Sequence, residues 1–306
     1  MVLKTVVFVL RSEFMDSEII TSQIGETIEY IKENKVDASV VYADEETNIS
    51  IPGEPGEMLV ICDSGSMAEK LKGRGYYITG LWHEFNKDEK FKDLKYIFSE
   101  LTEIDFDSFV KTYQRYAGEP WEVLRTERLL IRETTLEDID EFYKIYADPE
   151  MTRYMEGLFD DPADEKRYQK DYIEKVYGLM GFGVWTIVRL IDGRIIGRAG
   201  YSVRNGFEDI ELGFLIGTQF QRQGYAFEAC KAILDYGRDI LLFDKVQTLV
   251  KKENLVSIHL CNKLGFAVSE QVEVEENIYG HSYNGKKVEL SQCNYGTYIK
   301  MVKHLT

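Results

Sequence analysis

Residues 210–226 place the tightest limit on what this chain can fold into. The run Ile210-Glu211-Leu212-Gly213-Phe214-Leu215-Ile216 has the length and composition of a strand. It passes through Gly217 into Gln221-Arg222-Gln223-Gly224-Tyr225-Ala226, where helical periodicity begins. A strand that feeds a helix through so short a turn puts the helix N-terminus at the carboxyl edge of a sheet. The first helical turn carries unpaired N–H groups and a partial positive charge, and Gly224 brings no Cβ to shield them. Such a turn receives anions. Arg222 adds a bidentate donor at its rim. Period-two alternation sets Glu211, Gly213 and Leu215 on one strand face and Ile210, Leu212 and Phe214 on the other.

The flanking segments extend the pattern. Upstream, residues 128–132 read as a strand, and Thr135 with Asp138 three positions on starts a helix in the manner of a capping box. An acidic, aromatic loop over 148–164 gives way to a helix ending near Gly178. Strands 184–190 and 194–203 meet at Asp192-Gly193, a strong hairpin signal. Downstream, strand 246–250 leads to Asn254, a good N-cap, with Ser257 one helical step on and Gly265 as the helix stop. Strands over 267–274 and 297–302 complete this part. Residues 1–120 alternate short apolar strands (5–10, 38–42, 58–62, 76–81 and 96–99) with helical spacing such as Ile20, Ile24, Ile28 and Ile31. That alternation predicts a parallel sheet covered on both faces, with a surface turn at the two prolines of 51–56. The break at Tyr116-Ala117-Gly118-Glu119-Pro120-Trp121 divides the chain into domains 1–120 and 121–306.

Composition excludes some functions. The 306 residues carry 53 acidic and 37 basic side chains, a net charge of −16 that repels nucleic-acid backbones and favours cationic partners. Cys62, Cys230, Cys261 and Cys293 are scattered without a CxxC pair, which fits reduced thiols in a cytoplasmic protein and no metal site. No apolar stretch reaches the ~18–20 residues of a membrane span.

Two motifs together resemble the GNAT family of acyl-CoA-dependent N-acyltransferases: (Q/R)-x-x-G-x-(G/A) at 221–226, and N-x-x-S…L-G-F at Asn254, Ser257 and Leu264-Gly265-Phe266. The order strand, two helices, three antiparallel strands is similar too. Thr126-Glu-Arg-Leu-Leu-Ile-Arg132 resembles the opening strand of the ribosomal-protein N-terminal acetyltransferase branch. The resemblance covers about residues 123–306. It implies an α+β domain with a mixed, mostly antiparallel sheet splayed between its fourth and fifth strands. It also implies acetyl-CoA as co-substrate, its diphosphate on Gln221, Arg222, Gln223, Gly224, Tyr225 and Ala226. The pantetheine arm would lie along Phe214, Leu215 and Ile216 and touch Asn254 and Ser257.

In that reading an amine attacks the thioester directly. An ammonium with a pKa of ~10 needs a base first. Glu211 is the candidate, its pKa raised by a face with no polar neighbour; a solvated acid next to Glu208 and Asp209 is the alternative. Many relatives carry a tyrosine as general acid four positions after the serine; here that place is Cys261, whose packing in the core is the alternative role. The acids of 156–164 would draw a cationic small-molecule amine or a peptide N-terminus. The acidic run 270–276 reads as solvated surface. His281 reads as a relay or packing, and Lys251 and Lys252 as partners of the coenzyme's 3′-phosphate or surface charges. A homo-oligomer is left open, and an acyl-CoA-binding sensor with a degenerate site is the competing function.

Residues 60–84 faintly resemble part of a haloacid-dehalogenase-like (HAD-like) Rossmann fold. The catalytic DxD is absent, because the first strand runs into Arg11-Ser12-Glu13. The first domain is thus expected to be non-catalytic, with Asp63 and Ser64 as ligand contacts or as a strand-to-helix cap.

Overall fold

The computed structural model describes residues 3–44, 49–280, 282–286 and 294–305. The chain divides into two compact units, Met1–Glu119 and Pro120–Thr306. His281 and Cys293 lie outside the described residues.

The first unit runs β1 (Thr5–Arg11), α1 (Glu18–Glu33), β2 (Asp37–Ala43), β3 (Met58–Cys62), α2 (Gly65–Gly73), β4 (Tyr77–Leu81), β5 (Ile97–Phe98) and α3 (Phe106–Ala117). Its five strands are all parallel, in the order β2-β1-β3-β4-β5. Alternation along β1 explains the two-sided core. Val6, Phe8 and Leu10 pack with Ile24 and Ile31 of α1 and Phe109 of α3, whereas Val7 and Val9 pack with Met67 and Leu71 of α2. The turn at 51–56 is not wholly at the surface: Ile51 is buried in the α2 side of the core.

The carboxyl edge of this sheet is braced internally. Asp63 is fully buried; its Oδ1 accepts the Arg11 amide at 3.0 Å, and His83 Nε2 stands 3.5 Å from its Oδ2. Ser64 caps α2 by accepting the Met67 amide at 3.4 Å. Ser64 therefore caps α2, while Asp63 ties the ends of β1 and β3 together.

The second unit runs β6 (Glu122–Arg125), β7 (Leu129–Arg132), α4 (Ile139–Tyr146), α5 (Pro149–Thr152), α6 (Pro162–Tyr172), a π-turn (Ile173–Tyr177), α7 (Gly178–Met180), β8 (Val184–Arg189), β9 (Ile195–Ser202), β10 (Ile210–Ile216), α8 (Tyr225–Asp239), β11 (Lys245–Lys251), α9 (Leu255–Lys263), β12 (Ala267–Glu276) and β13 (Asn294–His304). The sheet order is β12-β13-β11-β10-β9-β8-β7-β6. β6 precedes 128–132, the first strand that apolar alternation marks in this unit. Its exposed ends, Glu122 and Arg125, pair with each other at 2.7 Å and give it no apolar alternation.

Neighbouring strands are antiparallel except β10 and β11, which are parallel and paired only at Ile210↔Val246 and Glu211↔Gln247. Beyond Gln247, β11 stays with β13, and beyond Glu211, β10 stays with β9. The sheet thus splays between β10 and β11. Leu212, Ile216, Val246 and Val250 pack on Ala229, Cys230 and Ile233 of α8. On the opposite face Leu215 packs on Ile139, Phe142 and Ile145 of α4.

The start of α4 carries a buried ion pair. Asp138, 3% exposed, accepts both Arg132 Nη1 and Nη2 at 2.7 Å, the Thr135 amide at 2.9 Å and Thr186 Oγ1 at 2.9 Å. Removing one partner of such a pair leaves the other charge uncompensated. Asp138→Ala is expected to lower unfolding free energy by about 3 kcal/mol in urea titrations. A loss under about 1 kcal/mol would show the pair to be a surface-type contact.

Candidate active site

Two helix N-termini face the splay, because the parallel strands β10 and β11 end on the same side and lead into α8 and α9. Between β10 and α8 a single 3-10 turn (Thr218–Phe220) closes the connection. Arg222 then takes φ 59° and Gly224 φ 84°. A non-glycine residue in the left-handed region costs roughly 1–2 kcal/mol, and alternating left-handed positions turn successive amides toward one side. Among the described residues, the amides of residues 222–226 donate to no protein acceptor. A Cβ built on Gly224 would meet only Arg128 Nη2, at 3.3 Å.

Arg128 is a component that sequence reading did not assign. Its Nε donates to Glu228 Oε2 at 2.6 Å and its Nη1 to the Gln223 carbonyl at 3.0 Å. Its guanidinium lies 4.5 Å from the Tyr225 ring centroid. Thr126 Oγ1 donates to the other oxygen of Glu228 at 2.6 Å. The opening Thr-Glu-Arg segment therefore clamps the first turn of α8. About a hundred residues separate the partners, so no local pattern could reveal them.

The predicted coenzyme residues divide by what they present. Arg222, Gln223 and Gly224 are exposed at the turn, and Ala226 is half-buried. Tyr225 is buried, so its ring belongs to the core and only its amide faces the turn. Gln221 bends back, its Nε2 donating to the Ile216 carbonyl at 2.9 Å. Phe214 packs on the α8 side of the sheet and Leu215 on the α4 side. Asn254 Oδ1 accepts the Ser257 amide at 3.1 Å and caps α9.

Glu211 sits at the closed end of the splay, 7% exposed. It has polar neighbours, contrary to the sequence expectation. Arg204 Nε, from the β9–β10 loop, donates to its Oε2 at 2.6 Å, and Gln247 stands beside it in register. Arg204 comes seven positions earlier, across an irregular loop whose geometry alternation does not encode. Burial pushes the Glu211 carboxyl above the ordinary carboxylate range, and Arg204 pulls it part of the way back. Two residues along, a Cβ on Gly213 would meet nothing within 4 Å, so open space adjoins Glu211 on its own face.

Other acids converge nearby. Glu276 accepts Tyr298 OH at 2.6 Å and lies 2.9 Å from Lys251 Nζ, so it is not a solvated member of the 270–276 run. Lys251 is thereby engaged by Glu276, whereas Lys252 is exposed. Glu156 of the α5–α6 loop accepts the Asn277 amide at 2.7 Å, and Asp164 in the first turn of α6 accepts the Tyr283 amide at 3.0 Å. Cys261 is fully buried in the α8–α9 core; burial pushes its thiol up to about 11 against the Thr248 hydroxyl that lowers it. It is a packing residue.

These features meet known proteins at one family. The Acetyltransferase (GNAT) domain pattern matches residues 128–267. An uncharacterized N-acetyltransferase, p20 of Bacillus licheniformis, is 32% identical over 151 residues, 47% of this chain and 82% of that protein. The chain belongs to the GNAT acetyltransferase family. YkkB of Bacillus subtilis (strain 168), also uncharacterized, is 29% identical over 161 residues, 49% of this chain and 87% of its own. Spermidine N(1)-acetyltransferase of Escherichia coli (strain K12) is 34% identical over 85 residues, 28% of this chain and 46% of that protein. The GNAT match lies within the second unit, and GNAT acetyltransferases use acetyl-CoA.

Proposed function

We propose that this GNAT enzyme transfers acetyl from acetyl-CoA to a cationic primary amine by direct attack, with the first unit as a non-catalytic, HAD-like partner domain. The unpaired amides at residues 222–226, beside the splay that ends at Glu211, carry the reading. When bound, acetyl-CoA supplies the thioester whose C–S bond breaks as the new C–N bond forms.

The chain's own residues would do the rest. The amides of Arg222, Gln223, Gly224, Tyr225 and Ala226 hold the diphosphate, and Arg128 adds positive charge at the same turn. Phe214, Leu215 and Ile216 offer backbone along the splay, and Asn254 and Ser257 border it from the α9 side. Glu211 accepts the proton that the ammonium must lose, leaving a neutral nitrogen to attack. Open space at Gly213 leaves room for the acceptor next to that carboxylate. Glu156 and Glu276, close to the Arg204–Glu211 pair, favour a cationic acceptor over a neutral one. The resemblance to a protein named for spermidine points the same way, toward a small amine.

Release of free thiol from acetyl-CoA, measured against a panel of polyamines, aminoglycosides and peptides with free N-termini, tests the proposal. Saturable release with at least one amine is expected, with polyamines the best class. Tight acetyl-CoA binding without release on any amine would turn the reading to a coenzyme sensor.

A further inference from the structure

Gln247 is fully buried, and neither its Nε2 nor its Oε1 finds a hydrogen-bond partner among the described residues. The large majority of buried side-chain polar atoms in folded proteins are paired, so a carboxamide orphaned at both ends calls for a physical reason. Its place supplies one. Gln247 pairs in register with Glu211 at the last step before β10 and β11 part. Neighbouring strands lie ~4.8 Å apart, and residues in parallel register share a face, so the two side chains stand side by side. Arg204 Nε occupies Glu211 Oε2, and open space at Gly213 adjoins the pair.

We infer that Gln247 is the positioning residue of the proton transfer, serving Glu211 in both of its protonation states. The inference rests on Glu211 being the base of the proposed reaction. An arginine has only donors and favours the carboxylate alone. A carboxamide has one of each. Its Nε2 donates to the Glu211 carboxylate before transfer. Once the ammonium has given its proton to Glu211, the new carboxylic O–H donates to Gln247 Oε1. One proton moves, from nitrogen to carboxylate oxygen, and no other bond changes in this step. Both orphaned atoms thus gain a use, and Glu211 can take up the proton without losing its only neutral partner. Hydrogen bonds of this kind often tighten only when the substrates are in place.

Gln247→Met keeps length and shape while removing both polar atoms. The melting temperature is expected to hold or rise, because an unpaired buried carboxamide is gone. The kcat is expected to fall by roughly tenfold or more, with the dissociation constant for acetyl-CoA within twofold of wild type. In 13C-carboxyl titrations of the protein saturated with CoA, the Glu211 midpoint is expected to rise by roughly one pH unit, since the carboxylate has lost the donor that closes on it once the site is filled. Arg204 from the β9–β10 loop, whose charge also bears on that midpoint, and Tyr298 of β13 and Glu156 of the α5–α6 loop, which act on Arg204, are unchanged in the variant. A kcat within twofold of wild type overturns the inference, and so does an unmoved midpoint. The titration needs no turnover, so it decides the role of Gln247 even if no amine in the panel is acetylated; that result would count against the proposed reaction instead.

Discussion

Replacing Gly224 by aspartate is expected to raise the dissociation constant for acetyl-CoA by about 100-fold, equivalent to ~2.7 kcal/mol. Gly224 stands at the N-cap of α8 with φ 84°. Aspartate is one of the side chains that best tolerates the left-handed region. The added Cβ would meet only one side-chain atom, Arg128 Nη2 at 3.3 Å, which has to give by a few tenths of an ångström. The cost to folding is therefore about 1 kcal/mol, a fall of roughly 2–4 °C in melting temperature for a unit of this size. Binding suffers far more, since a carboxylate would occupy the side of the turn where the amides of residues 222–226 are free and would repel a diphosphate. Gly224→Ala carries the same backbone strain without the charge, and titration calorimetry should place it between aspartate and wild type. Wild-type affinity in the aspartate variant would mean that the coenzyme's diphosphate binds elsewhere.

The part of this site that is written in adjacent residues was legible before the fold was known. Ile210–Ile216 is a strand because β-branched and apolar residues outnumber everything else in it, and its bounds match β10. The Asp192-Gly193 hairpin is equally local: Gly193 takes φ 68° between β8 and β9. Thr135 and Asp138 form a full capping box, as their spacing predicts. What stayed hidden depends on distant or irregular backbone. Arg128 reaches Glu228 only because β7 and the first turn of α8 come together in the folded unit. Arg204 finds Glu211 across a loop with no repeating geometry. β6 escaped because an edge strand closed by an exposed ion pair has no inward stripe to read. Gln247 did leave a signal, a carboxamide among Val246, Leu249 and Val250 with only the small hydroxyl of Thr248 as polar company. A polar residue in a strand that must be buried is where packing has yielded to chemistry.

Glu211→Gln is expected to lower kcat by about 100-fold or more while acetyl-CoA affinity stays within twofold, because general-base catalysis contributes roughly 10²–10⁴. Glutamine fits the same volume, and its carbonyl oxygen can still accept Arg204 Nε, so neither the fold nor the diphosphate turn is disturbed. The variant loses the capacity to take up a proton. The pH profile gives the sharper sign. Burial holds the Glu211 carboxyl above the ordinary carboxylate range, with Arg204 opposing. Tyr298 and Glu156 stand near Arg204 and feel the same field. As pH falls through that raised midpoint, Glu211 is protonated in a growing share of enzyme–substrate complexes, which cannot take the ammonium proton, and kcat must drop. The wild-type acid limb is thus expected above the range of a solvated glutamate, and it should be absent from the glutamine variant. A variant that kept both the wild-type kcat and its acid limb would assign the base elsewhere. Loss of kcat with the limb intact would instead mark Glu211 as a group that orients the acceptor, leaving a different residue to remove its proton.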